Sequence, residues 1–345
     1  MYGLIGLRLL VVDTPARPIG AAERDRLVAL TLDATRLLRK LGNDWARSRV
    51  PQVTHEICRF SISWEKHTVT PALPAPPKTG QVDLDIPAQE LSWSGSLLAQ
   101  LGLGAPLTVD PDDHRAVLAD QTDGMLETAF FGRTPVDLVT VVVTSLPMGW
   151  FAYASAKEPV VMLQLDDMHG QLTSIDRLMA HEIAHTFGAL DEYVDPAQQF
   201  TCQPTRLGGV LQVPNANCIA GGSTNQPCLM QSNQPVLCSS TPVHLGWTDS
   251  NGDQVMDLAT PPFITGMLQP ATHDPRQVLI TGPGMQFATR VRFNDTDFAT
   301  DAFIDSTPGV AARVPDHLHG PITVDVQTVT GWTRGDPAIA SVIVP

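Results

Sequence analysis

A pentapeptide in the middle of the chain, His181-Glu182-Ile183-Ala184-His185, could both hold a metal ion and move a proton. Residues four apart lie on the same face of an α-helix, so the two imidazoles can bind one ion. Two ligands do not complete a zinc site, because a catalytic site needs a third protein ligand and one open position. The pattern therefore predicts a chain that turns back toward the ion soon after the helix.

Gly188 and Asp191 supply that turn and that ligand. Gly188 stands where helices turn left-handed and end, and Asp191 follows it by three residues. We predict Asp191 as the third ligand, with Glu192 as the substitute candidate. Glu182 would take the proton of a water molecule that attacks a metal-polarised carbonyl, and would then pass it to the leaving amine.

The extended motif, His-Glu-x-x-His-x-x-Gly-x-x-Asp, resembles the zinc motif of the metzincin metallopeptidases. Most members of that family have histidine where Asp191 stands, and the aspartate is similar to the snapalysin-like variant. The segment Asp191-Glu192-Tyr193 is also similar to the one that follows the motif in the IgA-peptidase family. The resemblance implies a secreted zinc-dependent endopeptidase that hydrolyses peptide bonds in protein or peptide substrates.

Cys228-Leu229-Met230 resembles the methionine turn of the adamalysin-like metzincins. The resemblance implies that the unbranched thioether of Met230 packs beneath the ligand imidazoles without binding the zinc. The predicted site then consists of three zinc ligands, one base and two supporting residues: His181, His185 and Asp191, then Glu182, then Met230 and Gly188.

A bare His-Glu-x-x-His also arises by chance on solvated or structural helices. Here Gly188, Asp191 and Met230 accompany it in the expected order, which favours a catalytic zinc site. The alternative from another functional class is a noncatalytic surface-binding or adhesion protein with a structural zinc. Glu182 speaks against that alternative, because a structural site does not need this carboxylate.

The composition fits a globular protein with one large and one small domain. The chain has 345 residues, of which 43% are hydrophobic and 17% charged, and its formal net charge is -14. The scarcity of Lys and Arg argues against nucleic acid as a partner. No apolar run approaches the roughly 18 residues that a membrane-spanning helix needs. We expect a monomer without a membrane span.

Strands and helices alternate ahead of the metal motif, in the order of a metzincin upper half. They predict an α/β (α+β) catalytic domain over residues 1–258, with a mixed, mostly parallel sheet, an active-site helix capped by Ser174 or Asp176, and an irregular insertion at 65–112. The predicted strands are 7–12, 55–64, 137–144 and 160–165, and the predicted helices are 21–47, 113–131 and 175–189.

After residue 258 the sequence pattern changes to short alternating segments separated by Gly, Pro, Asn and Asp. Residues 262–345 are predicted to form a small all-β sandwich, and Ile280-Thr281-Gly282-Pro283-Gly284 resembles the TIG group of immunoglobulin-like domains. Such a module is either a spacer or a binding unit for a surface ligand. Its predicted strands are 277–281, 288–293, 309–314, 323–329 and 339–344.

Four cysteines, Cys202, Cys218, Cys228 and Cys238, crowd into one loop-rich stretch. We predict disulfides between Cys202 and Cys218 and between Cys228 and Cys238, although other pairings are open. Disulfides would place the protein in an oxidising, extracellular compartment, with the signal peptide missing from this chain. Cys58 is expected to be a buried thiol on a strand.

An acidic loop precedes the small domain. Asp249, Asn251, Asp253 and Asp257 stand at positions 1, 3, 5 and 9 of a calcium-loop pattern. The pattern lacks the usual glycine at position 6 and the glutamate at position 12. Two interpretations stay open, a calcium site and a capped acidic turn between the domains.

Overall fold

The structure is a computed structural model of the whole chain. It describes the chain apart from a set of segments and single positions, of which the longest is 103–136. The others are 2, 51–55, 155–159, 166–173, 194–206, 209–212, 216–226, 250–251, 253–254, 260–262, 269–273, 283–284, 286–287, 289, 295, 300–301, 306–308, 329–330, 334–340 and 345.

Helices and strands alternate in the first part of the chain, and strands dominate after residue 262. The helices are α1 (Ala21–Arg49), α2 (Val82–Leu91), α3 (Ser94–Gln100), α4 (Ile175–Thr186), α5 (Leu229–Ser232) and α6 (Thr241–His244). The first strands are β1 (Gly3–Asp13), β2 (Cys58–Thr68), β3 (Asp137–Thr144), β4 (Ala152–Ala154), β5 (Val160–Gln164), β6 (Leu207–Gly208) and β7 (Val213–Pro214).

Five strands form one mixed sheet in the order β2-β1-β3-β5-β4. β1, β2, β3 and β5 run parallel, and β4 pairs antiparallel with β5 at the edge. β3 is rich in β-branched residues, and both β3 and β5 are buried on both faces, as expected for parallel strands covered by other elements. The prediction of a mixed, mostly parallel sheet is confirmed.

The long helix α1 and the metal-motif helix α4 pack against each other on one side of this sheet. Leu27, Ala34 and Leu38 of α1 are fully buried, and they share an apolar cluster with Ile175 and Met179 of α4. The i, i+3, i+4 spacing that predicts both helices also produces these buried faces. Helix α4 therefore sits on a rigid layer of helix and sheet.

The prediction of an irregular insertion over 65–112 is wrong for residues 65–68 and 82–100, whereas residues 69–81 form no helix or strand. β2 continues to Thr68, and α2 and α3 occupy much of residues 82–100. Trp93 and Leu97 bury against the opposite face of the sheet, and the Trp93 indole N–H donates to the carbonyl of Pro147. The apolar periodicity of the sequence does not indicate these helices, because they are short. In addition, Pro87 falls inside α2, and proline usually ends a helix.

A buried carboxyl group links α2 to the edge strand β4. The Tyr153 hydroxyl donates to Glu90 Oε1, and Glu90 is fully buried. Burial raises the pKa of Glu90 to about 8, and the Tyr153 hydrogen bond opposes this only in part. The folded protein therefore favours the neutral carboxylic acid.

Glu90 should make the stability of the fold depend on pH. The unfolded chain ionises Glu90 near the ordinary pKa of 4.5, whereas the folded chain keeps the proton to about pH 8. The free energy of unfolding therefore falls as the pH rises between these values, and this group adds no slope outside them. We expect Glu90→Gln to gain stability over the parent protein through this window, by at most about 5 kcal/mol. Urea unfolding at a series of pH values measures it, and parallel profiles would contradict it.

The remaining strands form two antiparallel sheets after residue 262. Their inner faces share one apolar cluster, to which β9 contributes Ile280 and β14 contributes Val324. The strands are β8 (Gly266–Leu268), β9 (Gln277–Thr281), β10 (Arg290–Phe293), β11 (Asp297–Phe298), β12 (Ala302–Asp305), β13 (Gly309–Arg313), β14 (Gly320–Thr328), β15 (Gly331–Trp332) and β16 (Ser341–Val344). An all-β unit is thus present, and its immunoglobulin-like identity stays a prediction.

Two further predictions concern a helix at 113–131 and the absence of a membrane-spanning helix. The predicted helix at 113–131 lies outside the described residues. Within the part of the chain that the structure describes, no helix is long and apolar enough to cross a membrane.

Candidate metal centre

The exit of helix α4 is built so that the chain reverses toward the histidines. Gly188 has φ +89, in the left-handed region that favours glycine. The Gly188 N–H donates to the His185 carbonyl at 2.8 Å, and the Ala189 N–H donates to the Ala184 carbonyl at 3.2 Å. These two bonds form a Schellman motif, which ends the helix at Thr186 rather than at the predicted residue 189.

Three ligand atoms converge beside this turn. Asp191 Oδ1 lies 2.9 Å from His181 Nε2 and 3.1 Å from His185 Nε2, and the two Nε2 atoms are 3.1 Å apart. A tetrahedral zinc site with bonds of about 2.0–2.1 Å places neighbouring ligand atoms about 3.3 Å apart. The observed triangle is close to that size, so the three side chains, here called the metal cluster, are a group that could hold a metal ion.

The other ring nitrogens fix the tautomer of both histidines. His181 Nδ1 donates to the Leu229 carbonyl at 2.9 Å, and His185 Nδ1 donates to the Ala189 carbonyl at 2.7 Å. A carbonyl oxygen can only accept, so each neutral imidazole presents its Nε2 lone pair to the cluster. Three acceptors that face one point require a cation there, and two imidazoles with one carboxylate are a donor set that zinc prefers.

The charges of the metal-free cluster agree with this demand for a cation. Burial lowers the pKa of His185, but the Asp191 carboxylate outweighs it and raises the pKa to about 9. Burial would raise the pKa of Asp191, yet the two histidines hold it well below its ordinary value.

Glu182 lies next to the cluster on the same helix and is 6% exposed. Burial raises the pKa of Glu182, and the Asp191 charge adds to this, whereas His181 and His185 act in the opposite direction. A carboxylate with a raised pKa binds protons more readily than one in water. Its position and its basicity suit the predicted role of general base.

Met230 and Glu192 are the chain neighbours of two residues that support or form the cluster, Leu229 and Asp191. Met230 is fully buried in α5, directly after the Leu229 carbonyl that accepts from His181. The Met230 carbonyl accepts the Glu192 N–H at 2.9 Å. The Glu192 side chain contacts Cys238 and Ser240, away from the histidines, so the structure places Asp191 rather than Glu192 in the metal cluster.

The predicted disulfide between Cys228 and Cys238 is wrong for this structure, in which both side chains are thiols. Cys238 Sγ donates to Glu192 Oε1 at 2.9 Å, and Cys228 Sγ lies 3.9 Å from Glu192 Oε2. The Glu192 carboxylate thus contacts both sulfurs. Cys202 and Cys218 lie outside the described residues, and Cys58 is a buried thiol on β2, as predicted.

The calcium interpretation of the acidic loop stays a prediction. Asn251 and Asp253 lie outside the described residues. Asp257 is buried, and its Oδ2 accepts the Thr248 hydroxyl at 2.7 Å. This contact is what a capped acidic turn would also make.

Two groups of residues around the centre carry no metal-ligand signal in the sequence. Backbone carbonyls of Leu229 and Ala189 orient the histidines, and any residue type can supply a carbonyl. The grouping of Glu192 with Cys228 and Cys238 joins positions far apart in the chain.

Gly188 offers a test of how the turn places the third ligand. We expect Gly188→Ala to lower the free energy of unfolding by about 1–2 kcal/mol, because alanine is strained at positive φ. It should also lower the affinity for a divalent metal ion, because it shifts the segment that carries Asp191. Urea unfolding and a competitive metal titration measure the two effects.

Gly102→Ala is the matched control, since Gly102 has φ +75 with open space around its Cα. It should cost similar stability and leave the metal affinity unchanged. Equal metal affinities in the two variants would show that Gly188 does not place the ligand.

Comparison with protein-family models and with curated proteins finds no relative. No protein-family model matches the chain, and no curated protein is significantly similar to it. The geometry of the candidate metal centre is therefore the feature of this chain that bears on its function.

Proposed function

We propose that the protein is a zinc-dependent endopeptidase that hydrolyses peptide bonds in protein substrates. One observation carries the proposal: two imidazole Nε2 atoms and the Asp191 carboxylate converge within 3.1 Å of each other, with a buried Glu182 beside them. Three ligands that leave a position open are the pattern of catalytic rather than structural zinc. The added carboxylate favours an enzyme over a noncatalytic binding protein.

The chain's own residues supply binding, orientation and proton transfer. His181, His185 and Asp191 would hold the ion, and the Leu229 and Ala189 carbonyls keep both imidazoles in the binding tautomer. When bound, zinc supplies Lewis acidity for polarising a peptide carbonyl and for acidifying water.

Glu182 is the proton carrier in this proposal. A carboxylate oxygen of Glu182 accepts the proton of the attacking water, and its raised pKa favours that transfer. The same carboxyl group then donates the proton to the leaving amine nitrogen, so that the amine departs neutral.

The edge strand β4 suits an extended polypeptide. β4 packs beside α4, and among the described residues it pairs with β5 alone. The unpaired side of an edge strand offers main-chain donors and acceptors that a substrate strand can use. We infer that a protein chain, rather than a small molecule, is bound next to the metal centre.

Removal and return of the metal test the proposal. Chelated protein should lose digestion of denatured casein, and stoichiometric zinc should restore it, whereas calcium should not. A protein that binds zinc through the histidines but never cleaves casein, gelatin or a peptide library would favour the noncatalytic surface-binding alternative. A purified, unchelated protein without zinc would overturn both.

Export and the role of the small domain stay predictions. Because Cys228 and Cys238 are thiols, the predicted disulfide between Cys202 and Cys218 is the one that would still indicate an extracellular location. We propose that the all-β unit is a spacer or binds a surface ligand, and the monomeric state is likewise a prediction.

A further inference from the structure

A second cluster of ligand side chains lies apart from the histidines. It comprises Glu192, Cys228 and Cys238, whose ligand atoms all lie within 4.8 Å of one another. All three side chains are buried, with Glu192 fully excluded from solvent. We propose that this thiol cluster is a second, structural metal site for a soft, zinc-like ion.

The distances in the thiol cluster fit such an ion. Zinc–sulfur bonds of about 2.3 Å and zinc–oxygen bonds of about 2.0–2.2 Å put sulfur and oxygen about 3.5 Å apart in a tetrahedron. The observed separations are 2.9 Å from Cys238 Sγ to Glu192 Oε1 and 3.9 Å from Cys228 Sγ to Glu192 Oε2, on either side of that value. Sub-ångström shifts would therefore bring both sulfur–oxygen separations to that value.

Backbone N–H groups point at both sulfurs, and at Cys228 this contact opposes the Cys238 sulfur, burial and the Glu192 charge, which together raise the pKa of the Cys228 thiol. The Thr241 N–H donates to Cys238 Sγ at 3.4 Å, and the Met230 N–H faces Cys228 Sγ. Hydrogen bonds of this kind stabilise a thiolate, the form in which cysteine binds a metal. Thiolates favour zinc and other soft ions over calcium or magnesium.

The charges and neighbouring hydroxyls add to this argument. A carboxylate and two thiolates in a water-excluded space carry like charges, which a divalent ion would offset on binding as the two thiol protons leave. Ser240 Oγ contacts Glu192 and lies 3.3 Å from Cys238 Sγ, so its oxygen can occupy the fourth position.

The thiol cluster joins three segments that support the histidine centre. Glu192 follows Asp191, Cys228 precedes the Leu229 carbonyl that orients His181, and Cys238 leads into α6. An ion bound there would cross-link the three segments. We therefore expect its loss to weaken metal binding at the histidine centre by about 10–100-fold, as removal of supporting contacts does elsewhere.

X-ray absorption of the zinc-loaded, unmodified chain, prepared under reducing conditions, tests the proposal without any substitution. Sulfur neighbours at about 2.3 Å are expected in addition to nitrogen and oxygen neighbours. Nitrogen and oxygen neighbours alone would overturn the proposal. So would intact mass showing that the freshly isolated chain holds Cys228 and Cys238 as a disulfide, lighter by two hydrogen atoms.

Cadmium binding to variants assigns the sulfurs, because cadmium thiolates have an ultraviolet charge-transfer band. The band should persist in His181→Ala/His185→Ala, which disables the other centre, and should vanish in Cys228→Ser/Cys238→Ser. Cys58→Ala and Cys202→Ser/Cys218→Ser are controls that should keep it. Loss of the band in the second control, or its survival in Cys228→Ser/Cys238→Ser, would overturn the assignment. The readout does not involve proteolysis, so it is independent of the proposed function.

Discussion

Glu182→Gln is expected to keep its zinc and to lose about 10²–10⁴-fold in the rate of protein cleavage. The amide has the shape of the carboxylate but cannot accept the proton of the attacking water. Because the three ligand atoms belong to other residues, the metal cluster keeps its composition. Elemental analysis and cleavage of a quenched fluorescent peptide measure the two properties on the same sample.

Asp176→Asn is the matched control for this substitution. Asp176 is an acidic residue in the first turn of the same helix α4, well before the motif. It should change the cleavage rate little, because it lies outside the metal cluster. Full activity in Glu182→Gln with bound zinc would remove Glu182 from the mechanism and overturn its assignment as the base.

The histidine centre was predictable because its parts are local. His181 and His185 share one helical face by their spacing alone, and a glycine three residues later marks the end of the helix. The structure places Gly188 at positive φ and brings Asp191 to both imidazoles. Each of these steps depends on a short segment whose conformation its own residues determine.

The long elements of the sheet were predictable for a similar reason. β3 matches its predicted bounds, residues 137–144, and α1 differs from its prediction only at the last residues, because repeated apolar spacing over many residues leaves little choice. α2, α3 and β4 escaped the prediction. They have few residues each, and packing against Trp93, Pro147 and β5 determines their conformations rather than a local pattern.

The cysteines show a different limit of sequence reasoning. The spacing of Cys228 and Cys238 allows a disulfide, and nothing nearby in the sequence suggests a competitor. In the structure the Glu192 carboxylate is the competing partner of both sulfurs. It comes from the exit of α4, 36 residues before Cys228. Contacts at such a separation are decided by the fold, so a pairing rule based on loop length could not foresee them.

The two clusters meet in the dipeptide Asp191-Glu192, whose side chains point to different ligand sets. Alternation of this kind is expected of an extended segment, in which successive side chains point to opposite sides. A one-residue shift of the segment would exchange a carboxylate between the two clusters. The left-handed turn at Gly188 thus fixes which acid belongs to which cluster.

Asp191→Ala is therefore expected to weaken binding at the histidine centre by at least about 100-fold, since even removal of supporting contacts costs up to that much. Glu192→Gln is its matched partner: it disturbs the thiol cluster, so it should weaken the same affinity by about 10–100-fold, which is less than the effect of Asp191→Ala. Cobalt titration separates the centres, because the nitrogen–oxygen site gives d–d absorption and the thiol cluster adds sulfur charge-transfer bands. The opposite ranking, with Glu192→Gln losing the nitrogen–oxygen site and Asp191→Ala keeping it, would make Glu192 the third ligand. That result would require a register of the helix exit different from the one that Gly188 sets.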